Sequence, residues 1–316
     1  MSDHFADRLI TRVRQLGHPL CVGLDPHLRH LPPLFQRGAS AADPRTVAGV
    51  GDFLHAVLDR IGDRVAIVKP QIAFFECLGW RGLRLLDEIV ARARRQGLLV
   101  LLDAKRGDIG STAAAYAAAY LGEDAPLRAD AITLAPYLGL DSMAPFVDAS
   151  GAGISGLFVL VRTSNPGARD YQDLATTSED ADGRDADERD DALPLYRRVA
   201  ASLAPAAADL IGPTTGWSSL GAVVGATWPG QAEALRQVLP TSLFLIPGFG
   251  AQGAGAQDAV RSFVPGPAGR EGGIVSSSRG ILFPAGSATD DDGTWERAID
   301  AALDEAIDTL GSAISR

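Results

Sequence analysis

Eight short apolar runs, rich in leucine and β-branched side chains, recur along the chain with room for a helix between them. They are LCVGLD (20–25), VAIVKPQ (65–71), LLVLLDAK (98–105), AITLAP (131–136), LFVLVRT (157–163), LGAVVGAT (220–227), LFLIPG (243–248) and GIVSSSRGI (273–281). Apolar character that is continuous rather than alternating marks strands buried on both faces. The segments between them, such as TVAGVGDFLHAVLDRI (46–61) and GLRLLDEIVARARRQ (82–96), carry helical patterning that would cover such a sheet. Alternating strand and helix gives a parallel sheet, and eight repeats close it. The expected fold is therefore α/β, a (β/α)8 TIM barrel forming a single domain over residues 1–316.

In that fold the chemistry sits where the strands end. Here nearly every run finishes in a polar or conformationally special residue: Asp25, Lys69, Asp103 with Lys105, Pro136, Thr163 with Ser164, Thr227, Pro247 with Gly248, and Arg279. Two lysines stand out because only two of the 29 basic residues are lysine, Lys69 and Lys105, and both close a strand run. A chain that otherwise uses arginine keeps lysine where a compact ammonium able to release a proton is needed. Side chains two apart on a strand share a face, so Asp103 and Lys105 are expected to point into the barrel mouth and Ala104 outward. Lys69, on the neighbouring strand, would bring a second ammonium to the same carboxylate.

Asp108 follows a glycine and precedes the helix former IGSTAAAYAAAY. It reads either as that helix's N-cap or as a residue delivered beyond its own barrel mouth to a second subunit. The Gly-rich IPGFGAQGAGAQ (246–257), followed by Arg279, reads as a phosphate site built from the loops after strands seven and eight, with Gln252 as a neutral donor.

Other features narrow the function class. A formal charge of −10 argues against a nucleic-acid partner. No apolar segment approaches the roughly 20 residues of a membrane span, and the start reads as an amphipathic helix, so a cytoplasmic protein with no membrane partner is expected. All five histidines fall within the first 55 residues without metal-binding spacing, which disfavours histidine metal chemistry and a Ser-His-Asp triad. Cys21 and Cys77 read as small buried hydrophobes. The acidic stretch 173–194 reads as a solvated insertion after strand five, and VPGPAGREGG (264–273) as a plain connection.

The motifs GLDP (23–26), VKPQIAFFE (68–76), DAKRGDIGSTA (103–113), VRTSNPGA (161–168), IPGFGAQG (246–253) and SSRGI (277–281), in this order, resemble the longer-chain branch of the orotidine 5'-phosphate decarboxylase family. The resemblance implies a carboxy-lyase that converts orotidine 5'-phosphate to UMP and CO2 without cofactor or metal, in the last step of de novo pyrimidine biosynthesis. It also implies a homodimer with shared active sites. Carried over by matched motif, Lys69, Asp103 and Lys105 form a charge array that Asp108 completes from the partner subunit, together with Ile109 and Thr112. Asp25 is implied to bind the ribose, Ser164 the pyrimidine edge, and Gln252 and Arg279 the phosphate, with Pro247 in the same phosphate-side loop. Ser278 departs from the glycine of many members, and the 173–194 insertion is longer than in shorter relatives.

Lys105 is the expected proton donor to the carbanion left by CO2. Asp103 would destabilise the substrate carboxylate, and with Asp108 it would keep both lysines protonated. One rival is a magnesium-dependent sugar-phosphate lyase or decarboxylase of the same barrel superfamily; it would want a carboxylate where this chain has Lys69. The other, a non-catalytic phosphate-binding barrel, has no use for two lysines flanking a carboxylate.

Overall fold

In a computed structural model of the chain, which describes residues 3–176, 192–250 and 253–315, each apolar run forms one strand of a closed parallel barrel. The strands are β1 (Leu20–Leu24), β2 (Ile67–Pro70), β3 (Leu99–Arg106), β4 (Ala131–Leu134), β5 (Gly156–Arg162), β6 (Ser218–Val224), β7 (Ser242–Ile246) and β8 (Gly273–Ser277). Each pairs with its sequence neighbours, and β1 closes the ring against both β2 and β8, with Gly23 opposite Lys69 and Cys21 opposite Ser276. The strands end before most of the polar residues that follow each run. Arg279, for instance, opens a short helical turn, Arg279–Leu282, two residues beyond β8.

Helices cover the outside of the barrel, among them α2 (Pro44–Ile61), α3 (Gly79–Arg95) and α4 (Gly110–Tyr120). Their apolar faces share one buried cluster with outward strand residues such as Val68, Val100 and Leu102. A second cluster fills the barrel interior, where Ile67, Leu101, Phe158 and Leu243 meet α1 (Phe5–Leu16). Phe5 is fully buried and stands edge-on to Phe158 at 6.1 Å, so α1 plugs the end of the barrel opposite the strand C-termini. Each side chain of this size contributes about 1.5–3 kcal/mol by leaving water.

Two expectations need correction. The 264–273 stretch is more than a connection: Val264–Gly266 and Gly269–Glu271 form an antiparallel hairpin. Buried Glu271 accepts two hydrogen bonds from Arg14 (2.8 and 2.7 Å) and one from Trp217 Nε1 (2.9 Å), which compensates a carboxylate removed from water. Cys21 is buried as expected, and burial pushes its thiol up to about 12. Cys77 is exposed. It lies in the turn between Ala73–Glu76 and α3, where its thiol donates to the Phe74 carbonyl. At the insertion, Ala175–Thr176 pairs with Leu193–Pro194, while residues 177–191 lie outside the described residues.

Candidate active site

A cavity of about 460 Å³ opens at the C-terminal ends of the strands, with Asp25, Lys69, Asp103, Lys105, Ser164, Pro247 and Arg279 in its wall. At its centre the Asp103 carboxylate is bound on both oxygens. Lys69 Nζ lies 3.0 Å from Oδ2 and Lys105 Nζ 2.5 Å from Oδ1. Thr133 on β4, fully buried, donates its hydroxyl to Oδ1 at 2.9 Å.

Strand alternation does not by itself produce this arrangement. Lys105 has a left-handed backbone (φ 48°), and the β3–β4 register shifts between Leu102 and Arg106. A non-glycine residue in that conformation costs roughly 1–2 kcal/mol. The same Thr133 oxygen accepts the backbone N–H groups of Ala104 (3.0 Å) and Lys105 (2.9 Å) and so holds the irregular strand end in place. Ala104 packs outward into the helix-covered core, as expected.

The two lysines differ in surroundings: 8% of the Lys69 side chain is exposed against 45% of Lys105. Burial alone would push the Lys69 ammonium down, but Asp103 and Asp25 outweigh it and hold it above its ordinary range. Burial likewise opposes ionisation of Asp103, and Lys69 and Lys105 overcome it, so this carboxyl stays well below the usual carboxylate range. The site therefore holds a buried fixed anion between a sealed cation and a solvent-accessible one.

Around this centre the remaining wall residues are available for a ligand. Asp25 Oδ1 is buried with no hydrogen-bond partner among the described residues, as suits an acceptor awaiting hydroxyl donors. Arg279 is exposed and has no carboxylate partner among the described residues. Pro247 is followed by glycines with left-handed backbones, Gly248 (φ 103°), Gly250 (φ 70°) and Gly253 (φ 90°), while Gln252 lies outside the described residues. Ser278 is accommodated by Gly23, where an added Cβ would come within 2.7 Å of the serine Cβ. The segment bearing Ser164 is pinned from β6's loop: Thr227 Oγ1 donates to the Ser164 carbonyl (3.2 Å) and Trp228 Nε1 to the Thr163 carbonyl (2.9 Å).

Asp108, Ile109 and Thr112 do not line the cavity of their own barrel. Nor is Asp108 a conventional cap. Ile109 occupies the N-cap position of α4, and among the described residues the Asp108 carboxylate accepts only from the adjacent Ile109 N–H at 2.8 Å. Thr112 is exposed, and Ile109 (60% exposed) stands on the same rim as Tyr137 (90% exposed), Leu138 and Leu140. Sequence reasoning missed Thr133 and His27, the latter also in the cavity wall. A lone polar residue in the run AITL was the available signal for the first, and proximity to Asp25 for the second.

The sequence model of the orotidine 5'-phosphate decarboxylase / HUMPS family matches residues 18–289. A Rhodopirellula baltica protein named orotidine 5'-phosphate decarboxylase is 40% identical over 307 residues, covering 94% of this chain and 96% of the relative. One of the same name from Deinococcus radiodurans is 39% identical over 312 residues, covering 98% and 100%. The solved structure of Leishmania donovani OMP decarboxylase matches with a TM-score of 0.72 at 30% identity, over 98% of each chain.

Proposed function

The chain belongs to the orotidine 5'-phosphate decarboxylase / HUMPS family and is a carboxy-lyase that converts orotidine 5'-phosphate to UMP and CO2, and we propose that Lys69, Asp103 and Lys105 carry out the chemistry. This is the last step of de novo pyrimidine biosynthesis. The observation that carries the proposed mechanism is one buried carboxylate held between two ammonium groups, only one of which reaches solvent.

When the bond from C6 of the pyrimidine to its carboxylate breaks, CO2 leaves and the electron pair stays on C6 as a vinylic carbanion with little conjugative relief. An ammonium fixed against that carbon stabilises the charge as it develops, and the same group then supplies the proton. Lys105 takes this role because its accessible side chain can recover a proton from water after each turnover. Lys69 stays protonated between Asp103 and Asp25 and holds Asp103 in place. Asp103, set beside the departing carboxylate, raises the energy of the ground state relative to the carbanion, where that negative charge has moved away.

Asp25 binds the ribose hydroxyls and Ser164 the pyrimidine edge. Arg279, Gln252 and the backbone after Pro247 bind the phosphate. Binding energy gained at the phosphate and ribose, remote from C6, positions the reacting carbon. Asp108, Ile109 and Thr112 complete the site of a second subunit in a homodimer, a reading supported by the outward-facing apolar rim that carries Ile109. No metal or organic cofactor takes part: Lys69 already occupies the side of Asp103 that a Mg²⁺-dependent relative would need free. The chain works as one barrel domain in the cytoplasm, with 173–194 as a solvated acidic insertion after strand five.

Incubation with orotidine 5'-phosphate in excess EDTA, followed by the ultraviolet change of the pyrimidine, tests this reading. Undiminished turnover is expected. Loss of turnover that Mg²⁺ restores would replace it with the metal-dependent lyase.

A further inference from the structure

His27 shares the cavity with Asp25 and Arg279 but has no part in the mechanism above. Its ring is firmly placed. It stands edge-on to Phe74 at 4.3 Å between ring centroids, with His30 at 5.8 Å and Phe283 at 6.2 Å. These neighbours come from three separate segments, namely the turn after β1, the turn after β2 and the turn after β8. No group among the described residues makes a hydrogen bond to either ring nitrogen, and neither nitrogen is sealed from solvent without a partner. A half-buried imidazole held by aromatic contacts, with unused nitrogens in an active-site cavity, is set to meet a ligand at little cost in side-chain entropy.

We propose that His27 is a further substrate-binding residue, which hydrogen-bonds the 5'-phosphate end of the nucleotide beside Arg279. The inference rests on the decarboxylase reading and adds a contact that none of the motif-matched residues supplies. The assignment to the phosphate end follows from the cavity wall that His27 shares with Arg279 and from its ring contact with Phe283, which closes the short helical turn that Arg279 opens.

The charged and titratable groups that act on the ring are Asp25, His30, Arg29 and Arg279. Burial holds the imidazole below the usual histidine range; Asp25 opposes this and the other three add to it. Near neutral pH the ring is therefore an uncharged donor. On acidification it gains a proton and becomes a second cation facing the phosphate, so its contribution to nucleotide affinity rises as pH falls.

The test is calorimetric binding of UMP and of uridine to wild type, His27→Phe and His27→Gln at about pH 8 and about pH 5.5. Phenylalanine keeps the packing against Phe74 and Phe283 while removing both nitrogens; glutamine keeps a neutral donor that does not titrate. His27→Phe should bind UMP about tenfold or more weakly and uridine almost as well as wild type. His27→Gln should stay within about threefold of wild type for UMP at the higher pH and fall further behind at the lower. Taking the wild-type-to-glutamine ratio at each pH cancels the titration of the phosphate itself. UMP affinity unchanged in His27→Phe, or equal losses for UMP and uridine, would overturn the proposal while leaving orotidine 5'-phosphate turnover by the wild type intact. A wild type that neither turns over orotidine 5'-phosphate nor binds UMP would remove the underlying reading, and this inference with it.

Discussion

Lys69 Nζ lies 3.0 Å from Asp103 Oδ2, and both side chains are at least nine-tenths buried. Removing one partner of such a pair leaves the other charge uncompensated, which typically costs about 3–5 kcal/mol. Lys69→Met and Asp103→Asn should each lower stability by about that much in urea denaturation, and the double variant should recover part of the loss. The pH dependence follows from the two directions. Asp103 is held low, so its contribution is present above the ordinary carboxyl range near 3.9 and is lost as pH falls toward its folded value. Lys69 is held high, so its contribution is present below the ordinary lysine range near 10.4 and is lost as pH rises beyond it. In Lys69→Met the alkaline limb of the stability profile should flatten; an unchanged limb would show that the pair contributes nothing.

Thr133 joins the carboxylate to the strained strand end, so Thr133→Val, which keeps shape but removes the hydroxyl, strips Asp103 of one donor and two backbone N–H groups of their acceptor. Stability should fall by about 1–3 kcal/mol. Turnover should drop about tenfold or more while UMP affinity changes little, because Lys105 loses its fixed placement. If kcat is unaffected, the irregular strand end does not position the proton donor.

The barrel was legible because buried parallel strands carry an uninterrupted apolar pattern, and Lys69, Asp103 and Lys105 were legible because lysine is so scarce in this chain. Thr133 was hidden for the opposite reason: a single β-branched hydroxyl in AITL is ordinary strand composition. The left-handed backbone at Lys105 was invisible because simple alternation predicts the same side-chain direction. The Val264–Glu271 hairpin was missed because its glycines and prolines read as connection, and its stability comes from Arg14 and Trp217, far away in sequence. Asp108 stayed ambiguous because a cap and an outward projection share one sequence signature. The backbone decides against the conventional cap.

Arg279 lines the cavity with no carboxylate partner among the described residues, so Arg279→Ala should weaken UMP binding by about 1.5–3 kcal/mol, or roughly 10- to 100-fold, through loss of a charge-assisted contact. Uridine binding should be nearly unchanged. Equal losses for both ligands would make Arg279 structural and displace the phosphate from that wall.

Asp108 and Lys105 should complement across subunits. Lys105→Ala and Asp108→Ala proteins, each inactive, should regain activity when mixed under conditions of subunit exchange, since one site of each mixed dimer carries both intact residues. Heterodimers demonstrated by mass that remain inactive would place Asp108 outside the neighbouring site.

Lys105 is proposed both to stabilise the carbanion and to give it a proton, and Lys105→Arg isolates the second role. Guanidinium keeps the positive charge beside Asp103 but does not release a proton at working pH. Single-turnover decarboxylation by this variant should be slower by at least about 10²–10⁴-fold, the usual worth of a positioned general acid, with UMP affinity close to wild type. Turnover within a few fold of wild type, at unaltered UMP affinity, would contradict proton donation by Lys105 and reduce it to a fixed charge.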